Sequence, residues 1–255
     1  MTAFSTRDRI LLTMNDGLTA RQTQILKALI DEYIKIAEPV GSFALEKKYD
    51  LGVSSATIRS EMVNLTKKGY LRQPHTSAGR IPTSVAMKFY IDQLMEERSL
   101  SVVDEVKAKE EVWDVRRDFG KLMEEATHAL AEKTNSLAVS ATDEGDTWSS
   151  GYSYIFENPE FGNMEVCRSV FELLEQERRI HELFFEKFLG TPMEVLFGED
   201  LGWDYFEPVG IVATRFATGK KQGAIGVIGP FRLNYSAIIP TVRYFGNLIH
   251  ELTEG

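Results

Sequence analysis

Apolar residues recur at helical spacing from Ile25 through Leu26, Leu29 and Ile30 to Tyr33, which predicts a helix with one buried stripe. Thr19 with Gln22 three positions on reads as a capping box at its start. Glu38-Pro39-Val40-Gly41 stops it near Ala37, because proline disfavours helix in the residue before it. Ser42 is expected to cap a shorter helix through Tyr49, with Ala44 and Leu45 turned inward. After the turn Asp50-Leu51-Gly52-Val53, Ser54 opens a third helix to about Lys68, closed by Gly69. Its inward stripe is Ile58, Met62 and Leu65, so Ser55, Ala56, Arg59, Ser60, Asn64 and Lys67 share the outward face. Tyr70–Arg72 and Arg80–Pro82 then flank a polar loop and predict a two-stranded ribbon, with Pro82 on an edge. A fourth helix over Ser84–Glu97 is expected to pack Val85, Phe89, Ile91, Leu94 and Met95 inward. Helices followed by such a ribbon make a winged helix-turn-helix.

Further on, Leu100–Lys133 reads as one long helix, or two broken near Gly120. Ala108, Val115, Leu122 and Ala129 lie seven apart, as do Val112, Phe119 and Ala126. That seam fits either packing on the chain's own body or a coil with a second chain. Asp143–Asp146 is a polar break, and Tyr152–Phe156 is expected as a strand. Asn158-Pro159-Glu160-Phe161 leads into a helix over Asn163–Glu177 and another ending near Leu189. Strands follow at Pro192–Phe197, Val209–Arg215 and Gly223–Gly229, the last two joined by a turn over Ala217–Gln222, and Tyr235–Leu252 forms a terminal amphipathic helix. This order predicts an α+β body with an antiparallel sheet. The expected organisation is a flexible lead-in (1–17), a winged helix (18–97), a linking helix able to dimerise (98–142) and an α+β regulatory or dimerisation domain (143–255).

Charge sharpens the division. The chain carries 29 Lys and Arg against 38 Asp and Glu, a net of −9, but residues 1–95 have a net of +4 and the rest −13. A basic head on an acidic body suits a nucleic-acid-binding domain joined to one that does not bind. The lone Cys167 excludes an intrachain disulfide and fits a reducing cytoplasm. No signal sequence is read at the start, and no apolar run approaches the ~20 residues of a membrane span.

Double-stranded DNA is the partner that the head's side chains fit. The start of the third helix offers Ser54, Ser55, Thr57, Arg59 and Ser60 to a major groove. Arg59 is the foremost base reader, since a guanidinium bonds guanine O6 and N7 together. Asn64 shares that face, and Ser42 and Arg72 border it. Ser54 and Ser55 serve equally as helix caps. In the ribbon loop, His75, Thr76 and Ser77 can donate to phosphate, and Arg80 can enter a narrow minor groove. Catalytic signatures are missing: Gly226 to Gly229 has no phosphate-loop lysine, and His128, His181 and His250 lack metal-ligand spacing. No enzyme activity, cofactor or metal is expected. Trp148, Trp203, Tyr205 and Phe206 either line a small-ligand pocket or belong to a core or interface.

The head resembles the heat-inducible transcription repressors called HrcA. Its carriers are Arg21-Gln22, Ile25-Leu26, Glu38-Pro39-Val40-Gly41-Ser42, Ser55-Ala56-Thr57-Ile58-Arg59, Glu61-Met62, Gly69-Tyr70-Leu71 and the run Gln73 through Thr83. Asn158-Pro159-Glu160-Phe161, Gly198-Glu199-Asp200, Gly223 through Pro230 and Arg232-Leu233-Asn234-Tyr235-Ser236 are similar to that family's GAF-like domain. The resemblance covers roughly residues 18–97 and 150–253. It departs in the middle, where the family's usual inserted dimerising domain has only Leu137–Gly151 as its counterpart, which marks a shortened member with a reduced GAF-like domain. The resemblance implies a homodimer that represses chaperone genes from an inverted-repeat operator, with the chaperonin or heat as modulator. A ligand-gated winged-helix regulator and a winged-helix protein-interaction module are the alternatives.

Overall fold

A computed structural model describes residues 17–187, 193–219 and 221–254. The expected lead-in therefore falls almost wholly outside the described residues, as do the end of the second body helix at Leu189 and the tip of the turn at Lys220. The chain divides into two compact units, with the division between Met95 and Glu96.

The first unit opens with α1 (Ala20–Ile36), and the capping box forms: Gln22 N donates to Thr19 Oγ1 at 3.2 Å and Thr19 N to Gln22 Oε1 at 3.3 Å. Helices α2 (Ser42–Lys48) and α3 (Ser55–Lys67) follow, then strands β1 (Leu71–Arg72) and β2 (Ile81–Pro82), paired antiparallel with Leu71 opposite Pro82. Ile25, Leu26, Leu29 and Ile30 of α1 pack with Leu45, Ile58, Met62 and Leu65 in one buried core. Helix α4 (Ser84–Phe89) continues through a wider π turn to Leu94. Its buried residues are Ala86, Met87 and Tyr90, not the Val85–Phe89 stripe that 3.6-residue spacing predicts. Ala86, Met87 and Tyr90 lie at i, i+1 and i+4, so the inward face is an ordinary helical one set about one residue along from the expected stripe.

The second unit holds a five-stranded antiparallel sheet in the order β4-β3-β7-β6-β5. Its strands are β3 (Leu137–Thr142), β4 (Thr147–Ser150), β5 (Met193–Phe197), β6 (Val209–Thr218) and β7 (Lys221–Pro230). Helices α5 (Val102–Trp113) and α6 (Phe119–Thr134) precede it. After β4 come two short 3-10 turns (Tyr152–Glu157 and Pro159–Gly162), then α7 (Met164–Glu175), α8 (Glu177–His181, extended by a π turn to Lys187), α9 (Gly198–Leu201) and, last, α10 (Tyr235–Glu254). Side chains alternate across the sheet. Leu137, Val139 and Ala141 join Val209, Ile211, Ala213, Ala224 and Ile228 in a core closed by Ile155, Phe161, Val170, Leu173, Leu183 and Phe184. On the opposite face Ser140 bonds Thr127 of α6 at 2.6 Å, and α10 packs along β6.

Two expectations change here. Tyr152–Phe156 is a 3-10 turn, not a strand, because Gly151 enters it at φ +84° and breaks the extended run. Of the two readings of 100–133 the one with two helices holds: the break is at Asp114–Asp118, with Asp118, two residues ahead of Gly120, capping α6 through Lys121 N at 3.3 Å. Ala108, Val112, Leu122, Ala126 and Ala129 are all buried within the unit, so the heptad seam packs on the chain's own body.

Candidate nucleic-acid interface

Helix α3 is the element to which the helix-turn-helix reading assigns recognition. Ser54 caps it: Thr57 N donates to Ser54 Oγ at 3.4 Å, and the two hydroxyls lie 3.2 Å apart. Ser55 and Thr57 are half-buried, while Ser54, Ala56, Arg59, Ser60 and Asn64 are exposed. Among the described residues no hydrogen bond or ion pair engages the Arg59 guanidinium. Asn64 Nδ2 reaches Glu61 Oε2 at 3.4 Å. Ser42 departs from its expected part as a cap: Gly41, extended at φ −94°, already occupies that position, and Ser42 is the first helical residue.

What sets the pitch of α3 is a polar tie that periodicity does not reveal. Gln22 is only 6% exposed. It donates from Nε2 to Glu61 Oε2 at 2.9 Å and accepts from Lys68 Nζ at 3.0 Å, which bolts the start of α1 to the middle and the C-terminal end of α3. That amide holds the Glu61 carboxyl below the usual carboxylate range, with Asn64, Arg21 and Lys68 adding to it. Glu32 does the same for α2. It is 2% exposed and paired with Lys48, and it accepts from Tyr49 OH at 3.2 Å. Burial first, and then the Glu32 charge, push the Tyr49 phenol up to about 12, so it remains a donor at any physiological pH.

The wing is built as tightly. Gln73 Nε2 donates to the carbonyls of Thr76 and Ala78, both at 2.9 Å, which folds the loop and leaves His75, Thr76 and Ser77 exposed at its tip. Arg72 is exposed on β1. Arg80 is half-buried at the wing's base, where Nε donates to Thr66 Oγ1 of α3 at 3.2 Å and Nη1 to Gly79 O at 3.4 Å. The guanidinium thus braces the wing against the helix. Backbone bonds of 2.9 Å each way join Arg80 to Val40. A Cβ on Gly79 would lie 2.4 Å from Val40 O, so only glycine permits this approach. The bracing roles of Gln73, Glu61 and Glu32 escaped the sequence because a single polar residue carries no period.

In the body, two of the four stretches that carried the resemblance meet. Arg232 bonds Glu160 through Nε at 2.7 Å and Nη2 at 3.2 Å, and Asn158 Oδ1 at 3.2 Å, with both charged side chains about 15% exposed. The four aromatic residues considered for one pocket separate. Phe206 is fully buried and meets Trp203 edge-on at 5.1 Å. Trp203, under Arg179 at 4.4 Å, lines with Tyr205 an open cleft of about 410 Å³, whereas Trp148 faces Phe119 across β4. Among the described residues no His, Cys, Asp and Glu cluster fits a metal ion, and no helix is long and apolar enough to cross a membrane.

The fold is that of a mixed α+β protein, with α1–α4 and a two-stranded antiparallel ribbon in its first unit and a body built on a five-stranded antiparallel sheet. The family model described as the HrcA protein C terminal domain matches residues 60–239. The chain belongs to the HrcA family. A heat-inducible transcription repressor HrcA of Carboxydothermus hydrogenoformans is 27% identical over 333 aligned positions, covering 91% of this chain and 97% of the relative. The alignment exceeds the chain's 255 residues by 78 positions, so this is a shortened member. The HrcA repressor of Desulforamulus reducens is 47% identical over 118 residues, 44% of this chain and 34% of its own. A crystal structure described as a hypothetical protein at 2.2 Å resolution shares the fold, with TM-score 0.69 at 18% identity over 93% of this chain and 98% of its own.

Proposed function

We propose that this chain is a sequence-specific DNA-binding repressor of heat-shock (chaperone) genes. It acts from the cytoplasm as a homodimer on an inverted-repeat operator and is relieved by heat or through the chaperonin. The observation that carries this reading is the outward face of α3: Arg59 lies exposed and uncommitted between Ser55, Ser60 and Asn64, on a helix fixed by Gln22, Glu61 and Arg80. Arg59 reads a guanine, and the N-terminus of α3 with Ser42, Ser54, Ser55 and Thr57 holds phosphate. His75, Thr76 and Ser77 grip the backbone from the wing, and Arg72 adds charge. Family membership supplies the repressor role and the stress signal. Twofold symmetry of the protein matches the inverted repeat.

The test is titration of the purified chain against a duplex with two inverted half-sites, one half-site and a scrambled control, at two salt concentrations. Tight binding to the repeat that weakens as salt rises is the expected result. Equal, weak binding to all three refutes the operator reading.

A further inference from the structure

Helix α5 has two apolar faces. Ala108 and Val112 turn inward, at 6% and 0% exposure. On the outside, Val102, Val103, Val106 and Trp113 are 75%, 64%, 50% and 43% exposed. Val103, Val106, Glu110 and Trp113 follow one another at steps of three, four and three, the a/d alternation of a helix seam. Lys107 flanks this stripe and Glu110 lies within it, and neither has an ion pair among the described residues. The entry to the helix is anchored: Arg243 clasps Glu97 at 2.7 and 2.9 Å, and Arg98 N donates to Ser236 O at 2.8 Å.

We propose that this face pairs with the same face of a second copy, antiparallel, about a twofold axis level with Ala108. The inference rests on the reading of the protein as a dimeric operator binder and names the surface that makes the dimer. In this orientation Val103 meets the partner's Trp113, and Glu110 lies beside the partner's Lys107. A parallel pair would instead stack Glu110 on the partner's Glu110 inside the seam. Glu110 within the stripe and Lys107 beside it therefore select the antiparallel form.

Size sets the strength of the pairing. A 12-residue helix is about 18 Å long, and one such pair buries far less than the ~1,200 Å² typical of a stable complex. Association through α5 is accordingly weak in free solution. It becomes effective when neighbouring half-sites hold two copies close together, where the local concentration reaches the millimolar range. Operator binding is then cooperative, and the dimer assembles on DNA.

The test uses the full chain and its Val103→Glu, Val106→Glu double variant. Both substitutions are on exposed positions, and an unchanged Tm verifies the fold. The DNA is a duplex selected by the wild type from a randomised pool, together with its single half-site. Wild type should show concentration-dependent self-association by sedimentation, and the variant should remain monomeric. The variant's affinity for the two-site duplex should fall at least tenfold, with half-site affinity unchanged. Lys107→Glu alone should weaken pairing, and Lys107→Glu with Glu110→Lys should restore it. A variant with wild-type sedimentation and wild-type two-site affinity overturns the proposal, and failure of the charge swap to restore pairing overturns the antiparallel arrangement. If the pool yields no preferred duplex, the operator reading fails, while sedimentation still decides the role of α5.

Discussion

Arg80 occupies the base of the wing, and removing its side chain separates two roles that its charge would permit. Its Nε donates to Thr66 Oγ1 at 3.2 Å, and Thr66 in turn donates to Met62 O at 2.8 Å inside α3. The bond is charge-assisted but half-exposed, so its net worth is about 1 kcal/mol, short of the 1.5–3 kcal/mol of fully buried cases. Arg80→Ala and Thr66→Val each break the same contact. Each should lower the stability of the first unit by about 1 kcal/mol in urea unfolding, and the double variant should cost little more than either single one. Operator affinity should drop by a similar few-fold factor in both, because the wing no longer holds its angle to α3. The salt dependence decides between roles. A side chain that neutralises one phosphate contributes about 0.9 to the slope of log K against log salt, and a brace contributes nothing. Unchanged slopes in both variants are expected. Should Thr66→Val bind as wild type while Arg80→Ala loses about 0.9 from the slope, Arg80 is a phosphate contact and the brace account is wrong.

Arg59→Ala should leave thermal unfolding unaltered and cost ~1–3 kcal/mol of discrimination at one base position, read by competition with single-base operator variants. Gly79→Ala forces a Cβ to 2.4 Å from the Val40 carbonyl. Overpacking against backbone costs ~1–3 kcal/mol, visible as a lower Tm together with lost DNA binding. Glu160→Ala strands Arg232 in a site where both side chains are about 15% exposed, and breaking so buried a pair costs ~3 kcal/mol in denaturant unfolding of the body. The Glu61 carboxyl titrates below its ordinary 4.5 in the folded chain, so it stabilises above that pH and its contribution fades as pH falls through and below it. Glu61→Gln should flatten the acid limb of the stability curve, and an unchanged limb would show that the Gln22 contact carries no weight.

The head was legible because its signals are local. Ile58, Met62 and Leu65 mark the buried side of α3, Ser54 and Thr19 cap as expected, and Gly69 at φ +82° closes the helix. The body was less so. All six residues of β3 are buried, so Leu137–Thr142 shows no alternation between wet and dry positions and gave no period-2 signal. Tyr152–Phe156 alternates convincingly and yet turns, because Gly151 fixes the backbone ahead of it. The heptad from Ala108 to Ala129 identified a buried stripe but not what buries it, since periodicity is the same for a partner and for the chain's own sheet. Conversely, Glu110 interrupts the exposed stripe of α5, and an interrupted stripe is invisible to a count of apolar residues.

Several of the residues that made the family recognisable serve the fold. Gln22 is buried under Glu61, Val40 and Gly79 touch backbone to backbone, Arg80 braces Thr66, and Arg232 clasps Glu160 in the body. Those in the head fix the angle between α1 and α3 and the reach of the wing, and each contact demands a particular residue type. Ser60 and Asn64 on the outer face of α3 satisfy no such constraint. The likeness therefore rests in part on contacts that hold α3 and the wing in place, and on the proposed reading the exposed Ser60 and Asn64, which lie outside the matching runs, are free to tune the preferred bases. A swap of Ser60 and Asn64 should accordingly change the preferred operator while leaving the thermal stability of the head within about 0.5 kcal/mol of wild type. A loss of folding instead would mean that the outer face of α3 also serves the fold.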